Sequence, residues 1–134
     1  MKSENTDIWK SQVRDYEVDF QGIVNNANYF HYFDEARSKF LYKKGINLKE
    51  YADNGLNLIL VSTTISFKAP LKFSDQFIVK STFSQSSKIR FACNQSISLL
   101  KNELEIECVV ANSTLCAIQN SKPIHLKALS ALFV

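Results

Sequence analysis

The chain has 134 residues, of which 46% are hydrophobic and 22% charged, a size and composition that predict one globular domain over residues 1–134. Its net charge of +3 comes from scattered lysines and arginines, so we expect no nucleic-acid partner. No apolar run approaches the roughly 20 residues that span a bilayer. The N-terminal MKSENTDIWK lacks a signal-peptide core, and the three cysteines form no C-x-x-C pair, which favours a cytoplasmic protein with reduced thiols.

The first predicted element is a strand from Ile8 to Val18, because residues such as Val13 favour extended backbone and no helical stripe is visible. A turn at Gln21-Gly22 ends it. A helix is then predicted from about Asn26 to Lys44, with Gly45 at its C-terminal cap. The apolar face of this helix comprises Tyr29, Phe33, Ala36 and Phe40, widened by Phe30 and Leu41. A face this broad predicts a helix that a sheet surrounds.

Beyond a loop near Tyr51–Asn57, the hydrophobic period changes to two, which predicts strands. The predicted strands cover residues 58–69, 77–83, 88–101 and 103–119, with turns at Pro70 to Asp75, at Ser84–Ser87 and at Lys101-Asn102. Ser121 as N-cap and Pro123 in the first turn predict a short C-terminal helix. That helix would carry Ile124, Leu129, Leu132 and Phe133.

The last long strand changes character along its length. Glu103, Glu105 and Glu107 share a face with Val109 and its successors at alternate positions. An exposed face would thus become buried partway along the strand, and we expect a subunit contact to cover it.

The element order β-α-β-β-β-β-α predicts an α+β fold, because hairpins can join the four consecutive strands into an antiparallel sheet. A curved antiparallel sheet wrapped around one long central helix, the hotdog fold, would bury the broad apolar helix face.

The segment DFQGIVNNANYF, residues 19–30, is the strongest candidate for chemistry. Asp19 precedes Gly22, and the helix opening near Asn26 would present unpaired backbone N–H groups at the positive end of its dipole. Such a tip can hold a carbonyl oxygen that gains negative charge, while a nearby carboxylate attacks it or activates water. The alternative is purely local, because aspartate before a glycine turn often forms an Asx turn and asparagine caps helices well.

Signatures of other chemistries are missing: there is no G-x-S-x-G elbow, no glycine-rich phosphate loop and no H-E-x-x-H. His31 and His125 have no partner at a metal-ligand spacing. We therefore expect neither a metal nor another cofactor.

The segment VRDYEVDFQGIVNNANYFHYFDEAR resembles the signature of the 4-hydroxybenzoyl-CoA thioesterase-like, or YbgC-like, branch of hotdog acyl-CoA thioesterases. The matching positions are Asp19, Gly22, Val24, Asn25, Asn26, Ala27, Tyr29, Glu35, Ala36 and Arg37. The resemblance implies an acyl-CoA thioester hydrolase. It also implies a homodimer or homotetramer with its sites at subunit interfaces.

By this resemblance, Asp19 is the catalytic carboxylate, acting as nucleophile or general base, and the backbone N–H at Asn26 polarises the thioester carbonyl. Gly22, Asn25 and Tyr29 would frame the substrate. Asp34 matches a position that lines the acyl pocket in some members. A solvent-exposed helix carboxylate is an equally good interpretation of Asp34.

The resemblance also implies that a polar stretch holds the CoA phosphates, and Ser86, Ser87, Lys88 and Arg90 in SQSSKIR have suitable groups. An ordinary polar hairpin loop would have the same composition.

The chain departs from the family pattern at three positions. Members usually carry His where Asn26 stands and Tyr where Asp15 stands, and many have His at the position of Ile23. Asparagine cannot shuttle protons as histidine does, so acid–base assistance would come from Asp19 and water. The alternative function is a non-catalytic hotdog protein that binds acyl-CoA or acyl-carrier protein.

Overall fold

The computed structural model describes residues 5–133, which form an antiparallel sheet and one long helix. The elements are β1 (Thr6–Gln12), α1 (Asn26–Lys43), α2 (Leu48–Asp53), β2 (Leu56–Phe67), β3 (Gln76–Gln85), β4 (Arg90–Lys101), β5 (Leu104–Gln119), β6 (Lys122–Pro123) and α3 (Lys127–Ser130). None of the helices in this part of the chain is long and apolar enough to cross a membrane.

The strand order in the sheet is β1-β3-β4-β5-β2, with β6 paired to the end of β5. All these pairings are antiparallel. β1 and β2 stand first and last in this order and therefore form the two edges. The β4–β5 hairpin turns at Asn102 and Glu103, both with positive φ, one residue later than predicted. The curled sheet around one long helix confirms the predicted α+β hotdog fold.

Helix α1 has nearly the bounds that the sequence predicts, and Gly45, at φ +87°, takes the left-handed conformation that ends it. Its buried face is Tyr29, Tyr32, Phe33, Ala36, Phe40 and Leu41. The predicted stripe was wrong at Phe30, which is 43% exposed, and it omitted Tyr32, which is buried. The buried face of α1 is therefore rotated about the helix axis relative to the predicted one, so that Tyr32 rather than Phe30 faces the core.

The first strand is shorter than predicted. β1 ends at Gln12, and a 3-10 turn covers Asp15–Glu17, within the predicted strand. The chain leaves the sheet after Val13, whose backbone N–H donates to the carbonyl oxygen of Asp75 at 2.9 Å. The strand prediction was wrong there because the 3-10 turn redirects the chain, and Tyr16 within that turn is 72% exposed.

A β-bulge explains the change of face in β5. Ile97 pairs with Val109 while the next residue of β4, Ser98, pairs with Glu107, so Cys108 is an extra residue. An extra residue reverses which side chains face the core. Cys108 and Val109 are consequently both fully buried. The expectation that a subunit contact causes the change was wrong, since the cause lies within the chain.

Two connections also differ from the prediction. The predicted loop near Tyr51–Asn57 begins with helix α2, whose N-cap Asn47 accepts a hydrogen bond from Glu50 N at 3.1 Å. At the C-terminal end, Asn120 and Ser121 both have positive φ and form a hairpin turn.

Ser121 is therefore not an N-cap, and Pro123 lies in β6 opposite Ile118. The helix starts only at Lys127, without a side-chain cap, so that Ile124 precedes it. Leu129 lies in α3 as predicted and is buried, whereas the side chain of Phe133 lies outside the described part of the chain.

Candidate functional site

The N-terminus of α1 is capped by Asn25. Its Oδ1 accepts a hydrogen bond from Ala27 N at 3.0 Å, and its backbone oxygen accepts from Asn28 N at 2.8 Å. The expected capping of this helix by an asparagine is confirmed at Asn25. The backbone N–H of Asn26, the first helical residue, donates to no acceptor within residues 5–133. One unpaired donor therefore remains at the positive end of the helix.

Asp19 opens the tight turn that precedes the helix. Its Oδ1 accepts hydrogen bonds from Gln21 N at 2.8 Å and Ile23 N at 3.4 Å, which is the Asx turn that the sequence allows. Gly22 completes the turn at φ +85°, a conformation that favours glycine. The second carboxylate oxygen, Oδ2, accepts nothing from the residues that the structure describes. Oδ1 thus stabilises the turn, and Oδ2 is available to contact a ligand.

A cavity of about 260 Å³ lies beside the tip of α1. Its walls are Ile23, Val24, Asn26, Tyr29, Phe67, Lys68, Ala69 and Pro70. Two of the predicted site residues, Asn26 and Tyr29, therefore share one cavity. Asp19, Gly22 and Asn25 do not line it, and Asp19 lies four residues before Ile23, on the loop that forms one wall.

Tyr29 is 2% exposed, and its hydroxyl accepts a hydrogen bond from Leu71 N at 3.1 Å. Burial raises the pKa of this phenol, which keeps it neutral. Tyr29 therefore offers the cavity a neutral aromatic wall whose hydroxyl is already engaged.

Glu17 is a buried charged residue beside this loop that the sequence analysis did not single out. It is 5% exposed, and its carboxylate accepts from Tyr32 Oη at 2.8 Å and from Arg14 Nη2 at 2.9 Å. Burial raises the pKa of Glu17, but hydrogen bonds from Arg14 and Tyr32 outweigh it and leave the pKa lowered. The sequence indicated Glu17 only by its place in a predicted strand, where an acidic residue is unusual, two residues before Asp19.

A second cavity, of about 280 Å³, lies along the side of α1 next to β2 and β5. Its walls include Phe30, His31, Phe33, Asp34, Arg37, Leu60, Thr63 and Ser113. The side chain of Asp34 is 72% exposed and pairs with Arg37 at 3.3 Å. Asp34 is thus a solvent-exposed helix carboxylate that also borders a cavity, and both predicted interpretations of it remain compatible with the structure.

Comparison with known proteins identifies the family. The family model described as the thioesterase-like superfamily matches residues 13–128. The chain belongs to the thioesterase-like superfamily. A protein of Aquifex aeolicus (strain VF5) named "putative esterase" is 34% identical over 119 residues, which make up 89% of this chain and 90% of that protein. The resemblance to thioesterases, and the expectation of a thioester hydrolase, are confirmed at the level of the family.

Two further relatives of this superfamily member are informative. The chloroplastic acyl-acyl carrier protein thioesterase ATL3 of Arabidopsis thaliana is 40% identical over 92 residues, 69% of this chain and 48% of that protein. The chain thus spans about half the length of that relative. The crystal structure of Slr0204, a 1,4-dihydroxy-2-naphthoyl-CoA thioesterase from Synechocystis, superposes with a TM-score of 0.88 at 24% identity, over 95% of this chain and 94% of that one. At this identity the likeness establishes the fold.

Within one chain, the polar β3–β4 hairpin does not lie at the N-terminus of α1. Ser86, Ser87 and Lys88 lie in the β3–β4 hairpin, whose turn is closed by hydrogen bonds from Ser86 N and Ser87 N to Arg90 O at 3.0 and 3.2 Å. The cavity beside Asn26 is lined by Lys68, Ala69 and Pro70, which precede the first residue of β3, Gln76. The hairpin follows the last residue of β3. Ten residues of strand, roughly 30 Å, separate the two ends. Within one chain, these four residues therefore lie at the other end of β3 from the segment that adjoins the tip of α1.

The three cysteines are free and buried, so none of them forms a disulfide. Burial raises the pKa of Cys93 to about 12. These thiols are small core side chains rather than candidate nucleophiles.

Proposed function

We propose that this protein hydrolyses an acyl-CoA thioester at the tip of α1, with Asp19 as nucleophile or general base and the backbone N–H of Asn26 as oxyanion donor. The observation that carries the proposal is the unpaired Asn26 N–H in the wall of a cavity of about 260 Å³, beside the loop that Asp19 opens. Superfamily membership and the 34% identical putative esterase support the same reaction class.

In the proposed reaction the thioester carbonyl oxygen approaches Asn26 N–H, and the donor stabilises the charge that develops on that oxygen. One such donor typically contributes about 3 to 4 kcal/mol to transition-state stabilisation. Oδ2 of Asp19 then either attacks the carbonyl carbon, to give an anhydride that water cleaves, or takes a proton from the attacking water. In both routes one water is consumed, the C–S bond breaks, and the thiolate leaves to become CoA thiol while the acyl group becomes a free acid.

Asp34 would meet a polar acyl substituent. It borders the second cavity with Arg37, and the aromatic wall from Phe30 and Phe33 suits an aryl or a medium aliphatic chain. Gly22 and Asn25 would support substrate binding indirectly. Gly22 allows the turn that opens at Asp19, and Asn25 caps the helix that carries Asn26.

A second copy of the chain would complete the site. β2 is an edge strand that exposes Ile59, Leu60, Val61 and Phe67, each between 41% and 48%. Phe67 lines the cavity at the helix tip and Leu60 lines the second cavity, so a chain that covers this edge closes both. The same association would allow Ser86, Ser87, Lys88 and Arg90 of one copy to hold the CoA phosphates at the other. We infer a homodimer or homotetramer on this basis.

The carrier of the acyl group is a second question, since the 40% identical relative is named an acyl-acyl carrier protein thioesterase. Acyl-CoA and acyl-carrier protein present the same thioester and differ beyond the pantetheine arm. The assay should therefore offer matched acyl chains on both carriers.

The decisive experiment compares wild type, Asp19→Asn and Asp15→Asn on a panel of acyl-CoA and acyl-carrier-protein thioesters, with thiol release as the readout. Asparagine at position 19 can still accept the hydrogen bond from Gln21 N, so this variant keeps the turn and loses only the charge. We expect kcat to fall about 100- to 10,000-fold for Asp19→Asn. The exposed Asp15 is the matched control, and its variant should behave like wild type.

Two results would contradict the proposal in different ways. An active wild type with an equally active Asp19→Asn variant would remove Asp19 from the reaction. Tight acyl-CoA binding in calorimetry without thiol release over hours would favour the non-catalytic binding protein instead.

A further inference from the structure

The buried carboxylate of Glu17, two residues before Asp19, is hydrogen-bonded to α1 and to Arg14. Its Oε1 accepts hydrogen bonds from Tyr32 Oη and Arg14 N, both at 2.8 Å, and its Oε2 accepts from Arg14 Nη2 at 2.9 Å. Tyr32 lies on the second turn of α1 and is 1% exposed. A buried carboxylate with all of these donors is fixed in one orientation.

The backbone of Glu17 contacts the same helix. Its carbonyl oxygen accepts from Asn25 N at 3.0 Å and from Asn28 Nδ2 at 2.8 Å. Glu17 therefore bonds to the N-cap, the first turn and the second turn of α1. Asp19 follows two residues later, and the bridge between Val18 and Val24 links the intervening backbone to the segment that leads into the helix.

Resting on the function proposed above, we propose that Glu17 is a positioning residue: through Tyr32 and the helix N-terminus it fixes Asp19 relative to the N–H of Asn26. Glu17, Arg14 and Tyr32 form a clamp that does not touch the substrate in this proposal, because none of the three lines either cavity described above. Its effect passes through the placement of Asp19 Oδ2. A displacement of about 1 Å at a reacting group can cost about 100-fold in rate.

The first test uses Tyr32→Phe, which removes the hydroxyl donor and preserves the aromatic packing, and Glu17→Gln, which preserves the volume. We expect kcat to fall about 10- to 100-fold in each, with KM changed less than about threefold. Leu129→Ala is the control, because Leu129 is fully buried in the other core cluster and its loss destabilises the fold without reaching this clamp. Its kcat should stay within about twofold of wild type below its melting temperature.

The second test repeats both substitutions in the Asp19→Asn background. If Glu17 acts through Asp19, neither substitution should reduce the residual rate by more than about twofold there, whereas independent effects would multiply. Full additivity, or an unchanged kcat in Tyr32→Phe and Glu17→Gln with an active wild type, would overturn this inference and leave the proposed function intact. A wild type without turnover would overturn both.

Discussion

Gln95, on β4, accepts a hydrogen bond from Arg37 Nη1 at 3.0 Å and thereby holds the guanidinium of α1 against the sheet. The amide nitrogen of Gln95 donates to Phe33 O at 3.0 Å and to Ser81 Oγ at 2.9 Å. Gln95 is 3% exposed, so one buried amide satisfies a helix carbonyl, a strand hydroxyl and a cation. Arg37 in turn reaches Asp34 at the second cavity.

Replacing Gln95 by leucine should destabilise the fold. The substitution keeps the volume but leaves Arg37 and Ser81 without their buried partner, which we expect to cost about 2 to 3 kcal/mol in the free energy of unfolding. Urea denaturation followed by circular dichroism measures it. Gln76→Leu, at an exposed position on β3, is the control and should change the midpoint little. Equal midpoints for both variants would show that the Gln95 network contributes nothing to stability.

Proline at position 26 should abolish most of the activity by deleting one hydrogen-bond donor. Proline is well tolerated at the first helical position, and Asn25, at φ −62° and ψ 135°, already has the backbone conformation that a residue before proline requires. Asn26→Ala loses the same side chain and keeps the N–H. We expect kcat for Asn26→Pro to lie about 100- to 1,000-fold below that for Asn26→Ala, with similar melting temperatures. Equal rates in the two variants would exclude this N–H as the oxyanion donor.

The ionised form of Glu17 should stabilise the fold in a pH-dependent manner. Its pKa in the folded protein is lowered from the ordinary value of 4.5, so its contribution is fully present above that pH and is lost as pH falls through the folded-state pKa. We expect the difference in unfolding free energy between wild type and Glu17→Gln to be constant near neutral pH and to shrink below about pH 4.5. Denaturant titrations at several pH values test this, and a difference that grows on acidification would contradict it.

A charge on the exposed edge strand should separate the proposed subunits. Ile59 on β2 is 43% exposed and lines neither cavity near α1, so Ile59→Lys disturbs the edge without altering those walls. We expect wild type to sediment as a dimer or tetramer and Ile59→Lys to shift towards the monomer, with loss of thioesterase activity. Phe73→Lys, at another exposed apolar position away from β2, is the matched control. A monomeric, fully active wild type would contradict the shared site.

Features that depend only on residues close together in the sequence could be predicted from it. The cap at Asn25, the Asx turn at Asp19 and the helix end at Gly45 each arise from hydrogen bonds or dihedral preferences within a few residues. The C-terminal segment shows the limit of such signals. Ser121 and Pro123 suit a helix start, yet pairing with the end of β5 placed them in a turn and a short strand.

The sequence alone therefore determined the order of the main elements, the hydrophobic faces of most strands, and the local chemistry at the helix tip, because periodicity and capping are short-range effects. The tertiary structure decided which distant residues meet. The bulge at Cys108 reverses the faces of β5, Tyr32 buries the carboxylate of Glu17, and β3 holds the Ser86–Arg90 hairpin a strand length away from Asn26. Such contacts depend on sheet register and on burial shared between remote segments, which no local pattern encodes.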